Sequence, residues 1–208
     1  MGGSQSSKTT AGTSARGEGR GHALGGSAVA VLGASGGLGS AIARALAGRG
    51  SRLLLAGRDP SRLGALGLGT PLVGVDVRDP GCGQRIAEAA VRTLDGLDGL
   101  IDATGVVAFG SLLDHDDDTI EELFLTNAMG PLWPVRGVLP LLEASRGFVA
   151  QLSAVVAERP PAGMSVSAAT RAALTATDDA LARELRAIEA GEPSVPSTAF
   201  TVGVRDEG

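Results

Sequence analysis

Tyrosine is absent from this chain of 208 residues, and cysteine, histidine and aromatic residues are scarce. The single Cys82 excludes an intramolecular disulfide, and two histidines are too few for a zinc site of thiolates and imidazoles. No apolar run approaches the roughly 18 residues of a membrane-spanning helix. These absences predict a protein with no metal, no membrane contact and a cytoplasmic location.

Basic residues are also few relative to acidic ones. The chain has 18 lysines and arginines against 23 aspartates and glutamates, which gives a net charge of -5. A nucleic-acid partner or an anionic membrane would require a basic face, and no cluster of basic residues provides one. A chain of this length, 43% hydrophobic, can bury one sizeable core, so we expect one compact domain.

The first 26 residues differ in composition from the rest. They are mostly glycine, serine and threonine with scattered charges, and they offer almost nothing to bury. Such a composition cannot offset the entropy of ordering the chain. We therefore predict a disordered tail over residues 1–26 and a folded domain over residues 27–208.

Short apolar runs alternate with longer helical patterns from residue 27 onward. The predicted strands are 28–33, 52–57, 71–77, 99–105, 148–153 and 199–204, and the predicted helices are 38–47, 81–94, 117–142 and 167–190. Strands that alternate with crossover helices form a parallel sheet covered on both faces. The sequence thus predicts an α/β fold of three layers, a doubly wound Rossmann-like sheet.

The first predicted strand leads into the stretch GASGGLGSAIARAL. Gly33, Gly37 and Gly39 permit a tight turn and a close backbone approach, with Ser35 and Leu38 between them. The helix that follows directs free N–H groups and the positive end of its dipole toward a pyrophosphate. This context favours dinucleotide binding, although a glycine turn can also be purely structural.

The spacing of these glycines resembles the short-chain dehydrogenase/reductase family, and the resemblance continues in order along most of residues 27–205. LAGRDPSRL is similar to the second strand and turn of the family, VDVRD to its adenine-contacting segment and DATG to its Asn-Asn-Ala-Gly segment. TNAMGPLWPVRGVLPLL and FVAQLSAVVAERPPAGMSVSAATRAAL resemble the two regions that carry its structural asparagine and its catalytic residues. The resemblance implies a fold that binds NAD(H) or NADP(H).

Cofactor preference follows from the end of the second strand. An acidic residue there would bind the ribose hydroxyls of NAD(H), but this chain has Arg58, whose guanidinium suits a 2′-phosphate. NADP(H) is therefore favoured over NAD(H), the alternative being a solvated surface arginine. The resemblance further implies that Asp76 and Val77 flank adenine and that Ala103 and Gly105 approach the adjacent ribose.

The catalytic positions of the family are altered in this chain. Alignment through AATRAAL puts Ser167 at the tyrosine position, Arg171 at the lysine position and Ala154 at the serine position. An aliphatic hydroxyl is a weaker acid than a phenol and lies closer to the backbone, whereas Arg171 keeps a charge that could bind ribose. Asn127 alone matches the family pattern, and Asp102 replaces an asparagine.

Further expectations concern the end of the chain and its partners. After AFTVGVR the family continues with a Pro-Gly segment, a lid and a last strand, whereas the sequence has three more residues, so we expect a cleft without these parts.

Alanines recur every four residues along the last helix, at Ala168, Ala172, Ala176 and Ala180. This stripe predicts close packing against another helix, in a homodimer or in a heterodimer with a paralogue of the family.

Three functions stay open at this point. The first is an impaired family member that binds NADP(H) and acts through association. The second is an enzyme repurposed for dehydration, isomerisation or cyclisation, and the third is an active reductase with an unusual proton donor. A metal at the acidic stretch around His115 is a weaker alternative, because aspartates at the start of a helix usually cap it.

Overall fold

A parallel sheet of five strands forms the centre of the protein. The computed structural model describes the backbone of residues 24–189 and the side chains of residues 24–183. The strands are β1 (Ala28–Leu32), β2 (Arg52–Gly57), β3 (Leu72–Gly74), β4 (Gly99–Asp102) and β5 (Phe148–Gln151). Their spatial order is β3-β2-β1-β4-β5, which places β1 at the centre, where it pairs with both β2 and β4.

Six α-helices connect or follow these strands within the described residues. They are α1 (Gly37–Gly48), α2 (Pro60–Gly64), α3 (Cys82–Leu94), α4 (Asp117–Phe124), α5 (Leu132–Ser145) and α6 (Ser165–Glu189). A π-helical turn over Leu125–Met129 joins α4 to α5, and two 3-10 turns occupy Leu112–Asp114 and Val155–Ala157. This architecture confirms the predicted doubly wound α/β fold.

Both faces of the sheet are buried by helices. One core cluster packs β1, β2 and β4 against α3 and α5, and the other packs β1 and β2 against α1 and the segment that contains α2. All five residues of β1 are buried. This two-sided burial explains why the strands are continuous apolar runs and not alternating ones.

Helices α3 and α5 pack closely because glycines face each other at their contact. A Cβ atom on Gly83 would overlap the carbonyl oxygen of Trp133, and one on Gly137 would overlap the backbone of Gly83. Only glycine therefore allows the two backbones to approach to this distance. The contact fixes α5, and with it the asparagine-bearing turn that precedes it.

The predicted single helix over residues 117–142 is wrong. The chain is helical through Phe124, widens into the π-helical turn and resumes the α-helix at Leu132. The N–H of Gly130 donates to the carbonyl of Leu125 across five residues, and Pro131 has no N–H to continue an α-helical ladder. The break therefore has a local cause in the Gly-Pro pair, which the apolar periodicity did not reveal.

Other boundaries also differ from the predictions. β3 is only three residues long, β4 ends at Asp102 and not at residue 105, and the short helix α2 was not predicted. Leu24, which falls within the predicted tail, packs against the core, and its carbonyl accepts a 2.7 Å bond from the Ser51 hydroxyl. The predicted strand 199–204 and most of the predicted tail lie outside the described residues.

Candidate functional site

A cavity of about 380 Å³ opens at the carboxyl edge of the sheet, where the first, second and fourth strands end. Parallel strands commonly place ligands at this edge, in the crevice where the strand order reverses. The lining residues are Leu32, Gly33, Ser35, Gly36, Gly57, Arg58, Asp59, Arg62, Val75, Asp76, Val77, Ala103, Thr104 and Gly105.

The turn between β1 and α1 forms one wall of this cavity. Gly33 has a φ of 74°, and a Cβ atom there would lie 2.8 Å from the carbonyl oxygen of Ala103. Gly39 is buried, and a Cβ atom on it would overlap the Gly33 carbonyl. These two glycines therefore let the helix and the neighbouring strand approach the turn closely.

The N-terminus of α1 is open to a ligand. Gly36 caps the helix without a side-chain hydrogen bond, and the first turn contains no acidic residue. The first N–H groups therefore have no partner within the helix, and the helix dipole adds a partial positive charge. The predicted residues Gly37 and Leu38 are exposed in this first turn, outside the cavity lining.

Seven of the predicted cofactor residues line the cavity together: Gly33, Ser35, Arg58, Asp76, Val77, Ala103 and Gly105. Asp76 is held by Arg78, whose guanidinium approaches its carboxylate to 2.6 Å and lowers the pKa of that carboxyl. Arg62, which was not among the predicted residues, also lines the cavity. The pair Asp59-Pro60 could have indicated it, because a capping Asp followed by Pro starts a helix and places Arg62 in its first turn.

Two of the three residues predicted for catalysis, Asn127 and Ser167, are linked through Thr170 at the same edge. Asn127 is fully buried, and its amide donates to the Thr170 hydroxyl at 3.1 Å, which in turn donates to the carbonyl of Ser167 at 2.9 Å. Arg171 lies against Gly105, and its guanidinium donates to the carbonyl of Leu152 at 3.0 Å. The fold thus brings Asn127, Ser167 and Arg171 together.

Residues 106–110, which we call the strap, continue from the end of β4. Asn127 binds both backbone groups of Val106, with its amide oxygen 2.9 Å from the N–H and its amide nitrogen 2.9 Å from the carbonyl. Ser167 does the same for Ala108, accepting from its N–H at 3.1 Å and donating to its carbonyl at 3.0 Å. Side chains therefore hold the strap as a neighbouring strand would.

Ser167 is consequently engaged in a structural contact. Its side chain is only 2% exposed, and its single proton is donated to the Ala108 carbonyl. A general acid must reach its substrate, and this hydroxyl is directed at the strap. Ala154 is half-exposed, whereas the neighbouring Ser153 is buried beneath α6, where its hydroxyl lies 3.0 Å from that of Thr175.

Asp102 is a buried carboxyl at the end of β4. It is 3% exposed, and one of its oxygens accepts from the N–H and the hydroxyl of Thr104 at 2.8 and 2.6 Å. Its other oxygen has no hydrogen-bond partner. Burial raises the pKa of Asp102, which the nearby Arg171 opposes, and burial also lowers the pKa of Arg171.

A second buried carboxyl lies on α6. Asp178 is 6% exposed, and burial, together with repulsion from Asp102 and Asp179, raises its pKa to about 7. Gln151, which pairs in register with Asp102, is also buried, and its amide nitrogen has no partner. The side of the sheet beneath α6 therefore contains several polar groups that are only partly satisfied.

Two kinds of site are not found among the described residues. Within this part of the chain, no group of three or more His, Cys, Asp or Glu side chains is arranged to hold a metal ion. No helix in the same part is long and apolar enough to cross a membrane.

The fold and the glycine turn define the class of nucleotide-binding proteins with a Rossmann-like sheet. Comparison with known proteins narrows this class. The family profile of short-chain dehydrogenases matches residues 27–201. The chain therefore belongs to the short-chain dehydrogenase/reductase family, as the sequence motifs indicated.

Relatives support this assignment. An uncharacterized oxidoreductase of Staphylococcus epidermidis is 29% identical over 160 residues, which cover 74% of this chain and 70% of that protein. A short chain dehydrogenase of Pseudocercospora fijiensis is 30% identical over 173 residues, which cover 78% of this chain and 56% of that protein.

Solved structures share the fold. A short-chain dehydrogenase/reductase from Burkholderia phymatum in complex with NAD superposes with a TM-score of 0.77 at 25% identity, covering 88% of this chain and 66% of that one. A short-chain dehydrogenase from Streptomyces avermitilis gives a TM-score of 0.76 at 24% identity. The chain thus spans about two thirds of the length of the Burkholderia protein.

The buried Asp178 should make stability depend on pH. An unfolded Asp titrates near 3.9, so between about pH 4 and pH 7 the folded state keeps a proton that the unfolded state releases. The free energy of unfolding should therefore fall as pH rises through this window and level off above about pH 7. One pKa unit is worth about 1.4 kcal/mol, so the decline should be on the order of 2–4 kcal/mol.

Denaturant unfolding of Asp178→Asn at several pH values would test this contribution. The variant should lose much of the decline and be the more stable protein at about pH 8, whereas Glu143→Gln, which removes an exposed carboxylate from α5, should keep the wild-type slope. Equal slopes in wild type and Asp178→Asn would show that this carboxyl titrates normally.

Proposed function

We propose that the protein is an NADP(H)-binding member of its family that acts mainly through association with another subunit and has lost most of its oxidoreductase activity. The observation that carries the loss of activity is the position of Ser167, whose hydroxyl is buried and committed to the strap. The nucleotide half of the site, by contrast, retains its glycine turn and open helix N-terminus.

The residues around the cavity fit a dinucleotide. The N–H groups of the first turn of α1 would bind the pyrophosphate, and Gly33 and Gly36 leave the backbone accessible to it. Asp76 and Val77 would flank the adenine, and Ala103 and Gly105 would lie beside the adjacent ribose. The Burkholderia relative was solved with NAD, which supports this class of ligand. A bound nicotinamide would supply hydride-transfer chemistry.

Two arginines support a preference for NADP(H). Arg58 follows the last residue of β2, and Arg62 faces the same cavity from α2. Both are exposed, and the carboxylate of Asp76, which lines the same cavity, is already paired with Arg78. A 2′-phosphate would thus meet two guanidinium groups, which bind phosphate through several charge-assisted hydrogen bonds.

NADPH should therefore raise the melting temperature more than NADH at equal concentration, because a ligand that binds the native state stabilises it. Arg58→Asp should reverse this preference, since a carboxylate repels the phosphate and accepts from ribose hydroxyls. Arg49→Asp, an equal charge change at an exposed residue after α1, should leave the preference unchanged. The measurement is thermal unfolding with each nucleotide, and no shift with either would remove the cofactor assignment.

Weak catalysis is a second candidate because a cation remains near the cofactor region. Arg171 keeps a guanidinium against Gly105, where the family has its lysine. This group could bind a ribose, and water could supply the proton that tyrosine normally provides. A cation beside the cofactor region is compatible with two activities, reduction of a ketone and a repurposed non-redox reaction.

Turnover separates these candidates from the main proposal. We expect no oxidation of NADPH above background with panels of ketones and aldehydes, because general acid catalysis, typically worth about 10² to 10⁴ in rate, has no accessible donor. The check is absorbance of the reduced nicotinamide. Robust turnover that disappears in Ser167→Ala would identify the serine as the acid and refute the proposal.

Association is supported by a groove between α5 and α6. The groove has a volume of about 610 Å³, and its lining is mainly apolar, with Leu132, Trp133, Leu139, Ala176, Ala180 and Leu181 among its residues. Ala168, the first member of the alanine stripe, is buried, whereas the other three are exposed. On an α-helix, residues four positions apart differ in direction by about 40° around the helix axis. The alanine stripe therefore winds from the core side of α6 to its surface.

We therefore expect a dimer in which α5 and α6 pack against a second subunit. Ala176→Glu should break it, because the substitution places an unpaired charge in a close helix contact. Ala45→Glu, at an exposed position of α1, serves as the matched control. Light scattering gives the molar mass, and a monodisperse monomer for the wild-type chain at all concentrations would rule out self-association through this groove.

A further inference from the structure

A cluster of exposed apolar side chains lies outside both the nucleotide cavity and the groove between α5 and α6. Val107 and Leu112 are each 57% exposed, Phe109 is 74% exposed and Leu113 is 95% exposed. We call these four residues the apolar patch. They occur within seven consecutive residues, whereas most soluble proteins scatter such side chains singly, so the patch requires an explanation.

The backbone contacts of the strap explain why Val107 and Phe109 face outward. Asn127 binds the backbone of Val106, Ser167 binds that of Ala108, and the N–H of Gly110 donates to the carbonyl of Gly163 at 2.9 Å. Alternate residues are thereby held against the protein. In an extended segment, successive side chains point to opposite sides, so Val107 and Phe109 are directed away from it.

The second half of the patch is also held in place. Leu112 and Leu113 lie in a 3-10 turn closed by a capping box between Ser111 and Asp114. The side chains of Asp114 and His115 lie beside Gly110, within 3.4–3.8 Å of where its Cβ would be. The turn therefore folds back on the strap, and the patch is presented as a fixed surface. Pre-organisation of this kind lowers the entropy lost on binding.

The border of the patch is strongly acidic. No lysine or arginine occurs between Arg92 and Arg136, and six carboxylates follow the patch directly at residues 114, 116, 117, 118, 121 and 122. Asp114 and Asp116 cap turns, but the side chains of the other four have no hydrogen bond or ion pair with the described residues. Arg78 interacts electrostatically with Glu122. The surface thus combines an apolar centre with a border in which carboxylates outnumber cationic side chains.

We propose that the apolar patch is a docking surface for a basic amphipathic helix or segment of another protein, and that Ser167 serves this surface as the residue that fixes the strap. An apolar centre with a charged rim is the usual anatomy of a protein interface. Complementary charge selects the partner, because basic residues flanking apolar ones would meet the free carboxylates. The proposal does not depend on nucleotide binding or on turnover.

The acidic border also argues against two other occupants. A second copy of the chain would bring its own acidic border against this one, and like charges at an interface are destabilising. An anionic membrane would be repelled in the same way, since membrane surfaces attract basic segments. Of these three occupants, a basic segment of a different polypeptide is the one that matches both the apolar and the charged parts.

A pair of synthetic helical peptides tests the proposal on the full chain. One contains leucine on one face and lysine on the other, and its counterpart has glutamate in place of lysine. The lysine peptide should bind, with an affinity that falls as salt is raised, and the glutamate peptide should not. Fluorescence anisotropy of labelled peptide gives the dissociation constants.

Variants locate the binding surface. Leu113→Asp should weaken binding of the lysine peptide about tenfold, and Phe109→Asp with Leu113→Asp should weaken it further. Leu113 is 95% exposed, so its substitution leaves the fold intact even where the double variant does not. Val91→Asp, at a residue 52% exposed on α3, is the matched control and should bind like the wild-type chain.

The role of Ser167 has its own measurement. Ser167→Ala removes both bonds to Ala108, so the Ala108 amide should exchange its hydrogen faster and the lysine peptide should bind more weakly. Thr177→Ala removes a comparable hydroxyl contact on the exposed side of α6 and should change neither.

Several outcomes would overturn the proposal. They are equal binding of the two peptides, equal binding by the wild-type chain and Leu113→Asp, and binding to anionic vesicles in preference to the peptide. Dimerisation that is lost in Leu113→Asp would assign the patch to a second copy. Unchanged exchange at Ala108 in Ser167→Ala would remove the role given to Ser167.

Discussion

The hydrogen bonds on the backbone of residues 106–110 are the contacts on which the rest of the site depends. A backbone segment that leaves a sheet and is partly covered must satisfy its N–H and carbonyl groups elsewhere. Here the side chains of Asn127 and Ser167 and the backbone of Gly163 replace a neighbouring strand. These bonds connect the segment after β4 to the π-helical turn and to α6. They therefore fix the positions of these three elements relative to one another.

The two halves of the candidate site depend on different features of the chain. The nucleotide half depends on backbone geometry, namely the turn at Gly33, the packing of Gly39 and the free N–H groups of α1. The half around Ser167 depends on side chains. Serine has no aromatic ring, so its side chain is short enough for the hydroxyl to donate to the strap. A serine in that contact stabilises the fold while leaving no exposed proton donor.

Charge is distributed unevenly around the same edge of the sheet. Arg58 and Arg62 face the nucleotide cavity, whereas the carboxylates that follow the apolar patch lie on the surface formed by the strap and α4. Charges of opposite sign on the two surfaces would let the proposed anionic ligand and the proposed basic partner bind at separate places. The buried carboxyls Asp102 and Asp178 form a third group, whose ionisation is governed by burial.

The sequence by itself determined the parallel α/β fold and the glycine turn after β1, because apolar periodicity and glycine spacing are local properties of the chain. Tertiary structure decided what local patterns cannot encode. It turned Ser167 toward Ala108, 59 residues away, brought Asn127 to Val106, 21 residues away, and placed the N–H of Gly110 at the carbonyl of Gly163. Each of these depends on which distant backbone group lies within hydrogen-bond or packing distance, and that distance is set only when the sheet and helices assemble.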